Sequence, residues 1–585
     1  MSQSAGGHSP ALRPGCARPS LTRLVPIRPK RTGKPPGLGY NRYMMGTQVL
    51  HNSVQRWRLG AWVVFVLVVL IGALTVSDYG MTWDEHFRFQ GGDSKLTYYQ
   101  DLLAHEDPGV RTSSYPGLFD LPLAWVHEQF PEWGTRSQKG HVWSLCFGLL
   151  GLLSVWRLTA RIGGERAGFW ALLLLATLPR YYGHMFFNPK DIPLAGCYAF
   201  GVWSLVALFS RLPRPQWKWV LWVGAAAGMA MACRVAGFLV LVYFGGFVGL
   251  YLICEYARRQ RDLVSIPKDL VYWALRGAAA GLVGMAILFV FWPTMHGNPF
   301  DAAGASVESA QNFRWDGFVL MDGFFWKAQD LPVYYLPYWI AMTTPAHVLA
   351  LILGGLLASI LRLYSGVRSG DWANVSAIFP RAVLVFSGLF PLVYILWKDP
   401  VLYDGLRHIL FALPPLVGLA ALTFEDVLRW GEKRGRVLAP MLQLGGLLAV
   451  GIVIFNMWCL HPYQYVYFNS VSGGLASAYN RDETDYWGLS HKEAGEWLNE
   501  YIQETDPDSG RVYHVHQRYS RWMLKEALDP ERFEMWQPRE GADFFVSVTR
   551  FNMHNSYPEA ELLHIVERQG VPLCFIYSFD AALAE

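Results

Sequence analysis

Residues 61–80 read "AWVVFVLVVLIGALTVSDYG", and residues 81–90, "MTWDEHFRFQ", follow directly. The first stretch is long and apolar enough to cross a bilayer, so the adjacent carboxylates Asp84 and Glu85 fall at a membrane surface. "TWDE" has the spacing of a capping box, with Thr82 as N-cap and Glu85 at N3. That box uses Thr82 and Glu85 and leaves Asp84 without a structural task. A carboxylate held partly desolvated at the mouth of a membrane protein suits a general base for a hydroxyl or amine.

The rest of the chain extends the membrane reading. Its 585 residues are 52% hydrophobic and only 16% charged, too apolar for an ordinary soluble enzyme of this length. At ~17–25 residues per span, about eleven spans are expected, near 60–77, 141–158, 167–181, 192–210, 219–233, 235–254, 270–292, 339–361, 381–397, 408–425 and 438–458. The third and fifth are short, as in tilted or broken helices. The fold class is therefore a polytopic α-helical membrane protein.

Cytoplasmic loops collect Lys and Arg. With the N-terminus inside, the inward connections carry Arg157/Arg161/Arg166, Arg211/Arg214/Lys218, Arg258/Arg259/Arg261/Lys268, Arg362/Arg368/Arg381 and Arg429/Lys433/Arg434/Arg436. Each is short and basic, and eleven spans place the C-terminus outside the cytoplasmic membrane. The outward side then holds the long segments 78–140, 293–338 and 459–585. In the first, "FRFQGGDSKLTYYQDLLAHE" and "LFDLPLAWVHEQF" pattern as amphipathic helices lying at the interface. In the last, a helical "LSHKEAGEWLNEYIQE" and β-like "RVYHVH", "DFFVSVT" and "PLCFIYSF" predict a small α/β or α+β domain. Three regions follow: a disordered basic arm over 1–57, a transmembrane domain over 58–458, and an extracytoplasmic domain over 459–585. The arm is rich in Pro, Arg and Gly, has no signal-peptide h-region, and contains Met44 and Met45 as alternative starts. Seven cysteines show no CxxC spacing and predict neither a disulfide framework nor a zinc site.

A second constellation, "PRYYGHMFFNPKDIP" at 179–193, lies on the same outward side as Asp84. As a plain loop it would use Asp191 as a helix cap, its prolines as punctuation and Arg180 as a snorkelling anchor. His184 and Lys190 are left over. Arg234 interrupts "GMAMACRVAGFLV", and Arg407–His408 open a late span in "YDGLRHILFALPP". Single cations at helix ends are usually anchors; several on one face of one membrane suggest an anion site. A lipid-linked phosphate fits it, with its headgroup at the depth of these side chains and charge on the departing phosphate met by Arg and Lys. The 25 Trp, 29 Tyr and 34 Phe suit sugar faces, although interfacial belts account for many of them. No P-loop, Rossmann glycine pattern, GxSxG or HExxH is present.

The acidic pair after span 1, "YYGHMFFNPKDIPLA", "RHILFALPPL", and "HPYQYVYFNSVSGG" with "DYWGLSHKEA" together resemble bacterial members of glycosyltransferase family 39, relatives of the protein O-mannosyltransferases within the GT-C superfamily. The resemblance runs over most of 58–505. It implies a hexosyltransferase that takes a sugar from a polyprenyl-phosphate donor on the outer face of the cytoplasmic membrane and gives it to a lipid, glycan or protein acceptor. Under it, Asp84 corresponds to the family's catalytic acid, with Glu85 its neighbour, and Arg407 to an Arg contacting the donor phosphate. Lys190, Arg234 and His408 join the phosphate site; His184, Asp191 and Arg180 are further candidates. The family usually has Tyr after the late Arg, and here His408 replaces it. The expected mechanism is one inverting displacement, with no cofactor. A monophosphate leaving group held by Arg and Lys does not demand a divalent metal, and the sequence offers no compact ligand set. No nucleic-acid partner is expected.

Two other classes compete. A transporter or flippase for a lipid-linked substrate would use Arg234 and a broken span to line a path, but no internal repeat is present and the inward loops are short. A catalytically idle scaffold would tolerate Asp84→Asn.

Overall fold

The chain is hydrophobic over stretches where no water is available to its backbone, so helices that satisfy their own N–H and C=O groups dominate. The computed structural model describes residues 39–109, 115–257, 261–311, 313, 315–369 and 375–580. The first helices are α1 (Gly39–Thr75), α2 (Trp83–Leu103), α3 (Asp120–Gln129), α4 (Arg136–Gly163), α5 (Glu165–Ala176), α6 (Pro179–Phe187) and α7 (Asp191–Phe209). Then come α8 (Trp217–Met231), α9 (Leu239–Ala257), α10 (Ile266–Phe291) and α11 (Pro299–Gln311), followed by the hairpin β1 (Phe318–Met321) and β2 (Phe324–Lys327). Next are α12 (Tyr335–Thr343), α13 (Ala346–Ser369), α14 (Val375–Lys398), α15 (Leu413–Arg434), α16 (Leu438–Cys459) and the short α17 (Gly474–Ala478). Residues Val54–Glu585 form one compact unit.

Among the described residues nine helices are long and apolar enough to cross a membrane. The third and fifth expected spans correspond to α5 and α8, of 12 and 15 residues, which fall short of that length. Pro179 at the start of α6 separates it from α5. α7 and α15 are almost wholly buried at the centre, whereas α1, α13 and α16 expose Leu, Ile, Val and Phe outward, the pattern of lipid-facing helices. α4 and α7 approach closely: a Cβ on Gly196 would overlap the Phe147 carbonyl, the small-residue device that membrane helices use in place of hydrophobic collapse.

The basic arm is expected to run to residue 57; α1 begins at Gly39, inside that stretch. No proline lies between Gly39 and the apolar stretch, so the helix propagates backward from it without interruption. The remainder of the arm, 1–38, and Arg258–Arg259 of the basic connections lie outside the described residues.

The C-terminal part contains α18 (His491–Thr505), β3 (Tyr513–His516), α19 (Arg521–Ala527), β4 (Phe533–Trp536), β5 (Phe544–Val548), β6 (Glu561–Arg568) and β7 (Val571–Ser578). The five strands form one sheet in the order β4-β3-β5-β7-β6. β3 pairs in parallel with β4 and β5, and β7 pairs antiparallel with β5 and β6, an α+β arrangement. Cys459 and Cys574 are free thiols.

Candidate active site

Four connections meet at one end of the helical bundle, and each places a charged side chain at a helix terminus. α2 starts with the expected cap: Glu85 accepts hydrogen bonds from the Thr82 backbone N–H at 2.7 Å and the Thr82 hydroxyl at 2.8 Å. Its other oxygen lies 3.1 Å from His141 Nε2. Burial pushes the Glu85 carboxyl up, against the opposing pull of His141 and Thr82. Glu85 is thus committed to the cap, and the next face of the helix carries Asp84.

Asp84 accepts from Lys190 Nζ through Oδ1 and from Arg407 Nη2 through Oδ2, both at 2.8 Å. It is only 5% exposed. Burial by itself raises a carboxyl, but here Lys190 and Arg407 outweigh it and hold Asp84 well below the usual carboxylate range.

The α6–α7 corner supplies Lys190. Asn188 Oδ1 accepts from the backbone N–H of Lys190 at 3.1 Å and of Asp191 at 2.7 Å, so Asn188, rather than Asp191, caps α7. Asp191 is free to pair with Arg234 and, at 3.4 Å, with Arg407 Nε. Asn188 Nδ2 also donates to His184 Nδ1 at 3.2 Å, which puts the imidazole proton on Nε2, 3.1 Å from the Tyr486 hydroxyl. Burial, reinforced by Arg180, holds His184 down to about 3, so it is a neutral hydrogen-bonding link.

Arg407 opens a 3₁₀ turn, Arg407–Ala412, that leads into α15. Its Nη1 donates to Asp404 Oδ2 at 2.7 Å, and its guanidinium lies over Trp487 and Tyr403, 4.8 and 5.1 Å from the ring centroids. Asp404 has a left-handed backbone, φ 58°, and precedes Gly405 with φ 65°; this tight turn folds the Asp404 carboxylate back against Arg407. The carboxylate also accepts from Trp487 Nε1 at 2.9 Å and from Arg550 Nη2 at 2.6 Å. Arg550 follows β5, so the C-terminal part contributes a cation to the cluster.

Of the residues singled out in the sequence, Asp84, Lys190, Asp191, Arg234 and Arg407 converge in one ionic network. His184 and Arg180 stand behind it, both bonded to Tyr486. Arg180 is 1% exposed, sits over Trp339, Phe468 and Tyr486, and has no carboxylate partner among the described residues. A buried cation without a counter-ion is costly, so the network carries positive charge in surplus. His408 packs edge-on against Tyr403 at 4.8 Å. Asp404, Asn188, Trp487 and Arg550 were not picked out. The "DG" turn of "YDGLRH" was a readable signal for the first; Arg550 is 146 positions from its partner Asp404 and left none. Among the described residues no three His, Cys, Asp or Glu side chains gather as a metal site.

Comparison with known proteins gives one family match. Residues 124–289 match the family described as dolichyl-phosphate-mannose-protein mannosyltransferase. This segment contains Arg180, His184, Lys190, Asp191 and Arg234, and neither Asp84 nor Arg407. No curated protein matches the chain. Similar solved structures include ArnT from Cupriavidus metallidurans in the apo state (TM-score 0.45, 14% identity, 90% of this chain and 99% of that one). The same protein bound to undecaprenyl phosphate gives TM-score 0.43 at 14% identity, with the same coverage of 90% and 99%. The Archaeoglobus fulgidus oligosaccharyltransferase AglB, in complex with an inhibitory peptide and a dolichol-phosphate, gives TM-score 0.47 at 12% identity over 85% of this chain and 70% of that one.

Proposed function

We propose that this multi-pass membrane protein, which matches the mannosyltransferase family over 124–289, transfers a sugar from a polyprenyl-phosphate donor to a hydroxyl acceptor on the outer face of the cytoplasmic membrane. The observation that carries the proposal is the position of Asp84 between Lys190 and Arg407, at 2.8 Å from each. A base and an anion site are thereby built into one contact.

The donor phosphate enters as an anion and competes with Asp84 for Lys190 and Arg407. Arg234 and the surplus charge of Arg180 favour its arrival. Asp84, relieved of one or both cations and now beside a negative charge, becomes a better proton acceptor. It withdraws the proton of the acceptor hydroxyl as that oxygen bonds to C1 of the sugar. The bond from C1 to the phosphate oxygen breaks, its electron pair leaves on the phosphate, and the anomeric centre inverts. Arg407, fixed by Asp404, meets the developing charge without reorganising. On this reading guanidinium and ammonium groups do the work a divalent cation does elsewhere. All these groups lie at helix ends rather than at mid-span, which favours chemistry at one surface over a transport path.

The test is the protein purified in lipid nanodiscs with a panel of radiolabelled polyprenyl-phosphate sugars, followed for transfer and for slow hydrolysis. Consumption of one donor, with inversion at C1, is expected. A protein that consumes and binds none of them, and instead moves a labelled lipid across liposomes, contradicts the reading.

A further inference from the structure

Beside Asp84 stands a cluster of rings that the transfer step does not use. Trp83 precedes the base, and its ring lies 5.0 Å from Tyr519 and 5.1 Å from Trp522. His86 stacks on Trp522 at 4.5 Å with 15° between planes, and Phe87, 48% exposed, meets the same indole edge-on at 5.6 Å. The first turns of α2 and the start of α19 with the residues before it thus make one aromatic wall, partly open to solvent, that starts one residue from Asp84. Arg550 lies 5.6 Å over Tyr519 and 4.8 Å over Phe551, linking the wall to the ionic network.

The same segment holds hydrogen-bonding groups without a partner among the described residues. Gln517, 7% exposed, has neither amide atom paired among the described residues; Ser520 Oγ, on a residue 4% exposed, and Trp522 Nε1 are likewise unpaired. A buried polar group left unpaired is destabilising, and three such residues within six positions mark a place built for a hydrogen-bonding partner. An apolar wall by itself would fit a lipid chain or the interfacial belt. Aromatic faces combined with an amide, a hydroxyl and an indole N–H fit a molecule with an apolar face and a rim of hydroxyls that both donate and accept.

We infer that this wall is the acceptor subsite and that the acceptor is a saccharide, a ring of which stacks on Trp83 and Trp522 while Gln517 and Ser520 bond its hydroxyls. The inference rests on the transferase reading only for the word acceptor; saccharide binding stands by itself. In the transfer step one saccharide hydroxyl loses its proton to Asp84 and bonds C1 of the donor sugar, and the phosphate leaves.

The test uses the full chain in nanodiscs without donor. A panel of aryl glycosides of hexoses, hexosamines and uronic acids is screened by saturation-transfer NMR, with a Ser/Thr-containing peptide as competitor, for wild type, Gln517→Leu and Trp522→Ala. One glycoside class is expected to bind wild type, Trp522→Ala to weaken it about ten-fold or more, as loss of a base-stacking aromatic does in nucleic-acid sites, and Gln517→Leu to weaken it about five-fold, as loss of a hydrogen bond does. Gln517→Leu is expected to melt at or above wild type, because it removes an unpartnered polar group; a structural role for Gln517 predicts a lower melting temperature instead. Glycoside binding in a protein that consumes no donor sinks the transferase reading and keeps the subsite. Binding of the peptide alone, or glycoside binding indifferent to both variants, overturns the saccharide proposal.

Discussion

Arg407 Nη2 donates to Asp84 Oδ2 at 2.8 Å across 323 positions of sequence. The pair is buried, Arg407 being 4% exposed, so neither charge has water to fall back on. Two buried partners that each need an opposite charge make a latch: an anion that takes the guanidinium leaves the carboxylate basic. The proposed donor phosphate is such an anion.

The pH dependence of turnover follows from this exchange. In the free protein Lys190 and Arg407 hold Asp84 below the usual range, so Asp84 stays ionised and sets no acid limb in kcat/KM above about pH 4. With donor bound, the phosphate engages those cations and adds a like charge, which raises the Asp84 pKa. The acid limb of kcat therefore lies at higher pH than that of kcat/KM. Initial rates from pH 4 to 8 check this. The stability that the depressed carboxyl contributes is present above its unfolded value and is lost as pH falls through the folded value.

Replacing Arg407 separates charge from shape. Arg407→Lys keeps a cation but cannot reach Asp84 and Asp404 together, which Arg407 does with separate nitrogens at 2.8 and 2.7 Å. The loss of one charge-assisted contact in a buried site corresponds to about 2–5 kcal/mol, so kcat/KM for donor is expected to fall by at least about thirty-fold, while Arg407→Ala abolishes transfer. Steady-state kinetics with the identified donor measures both.

On the proposed reading Arg550 acts through Asp404 as a positioning residue. Arg550→Leu leaves Asp404 with Arg407 and Trp487 but removes the 2.6 Å donor on its other oxygen. The Asp404 carboxylate can then rotate, and Arg407 loses its fixed orientation. KM for donor is expected to rise with a smaller change in kcat, and Arg550→Lys to restore part of the loss. A fall in stability with unchanged kinetics in the folded fraction would assign Arg550 to domain packing alone.

On the proposed reading Glu85 stabilises the start of α2 rather than reacting. Glu85→Gln keeps the acceptor for the Thr82 N–H and is expected to retain most activity. Glu85→Ala removes the cap and lowers stability by about 1–2 kcal/mol, read as a lower melting temperature in detergent. Loss of turnover in Glu85→Gln at unchanged melting temperature would give Glu85 a chemical role.

Hydrophobic length carried most of the membrane architecture, because spanning helices need little beyond it. The break between α5 and α6 was visible as Pro179 but was absorbed into a span, since apolar residues continue on both sides. At the site, residues with charge at helix ends were legible: Asp84, Lys190, Arg234 and Arg407 each interrupt an apolar context. Asn188 was hidden inside "NPKD" by the more conspicuous Asp191, although an Asn three positions before a helix residue caps by the same geometry. Trp487 and Tyr486 carry no sign of their contacts in "DYWG", because a ring that packs over a cation is indistinguishable in sequence from a core residue. Arg550 and the aromatic wall depend on contacts over 146 and more positions, which only tertiary folding creates.

The central claim is that Asp84 is both the base and the resident counter-ion of the phosphate site, and Asp84→Asn tests it most directly. Transfer and polyprenyl-phosphate binding are measured side by side on wild type and Asp84→Asn protein in nanodiscs. The account predicts that the variant transfers nothing yet binds polyprenyl phosphate more tightly, since Lys190 and Arg407 are no longer neutralised. Transfer at the wild-type rate, or lost transfer with phosphate binding no tighter than wild type, would contradict it.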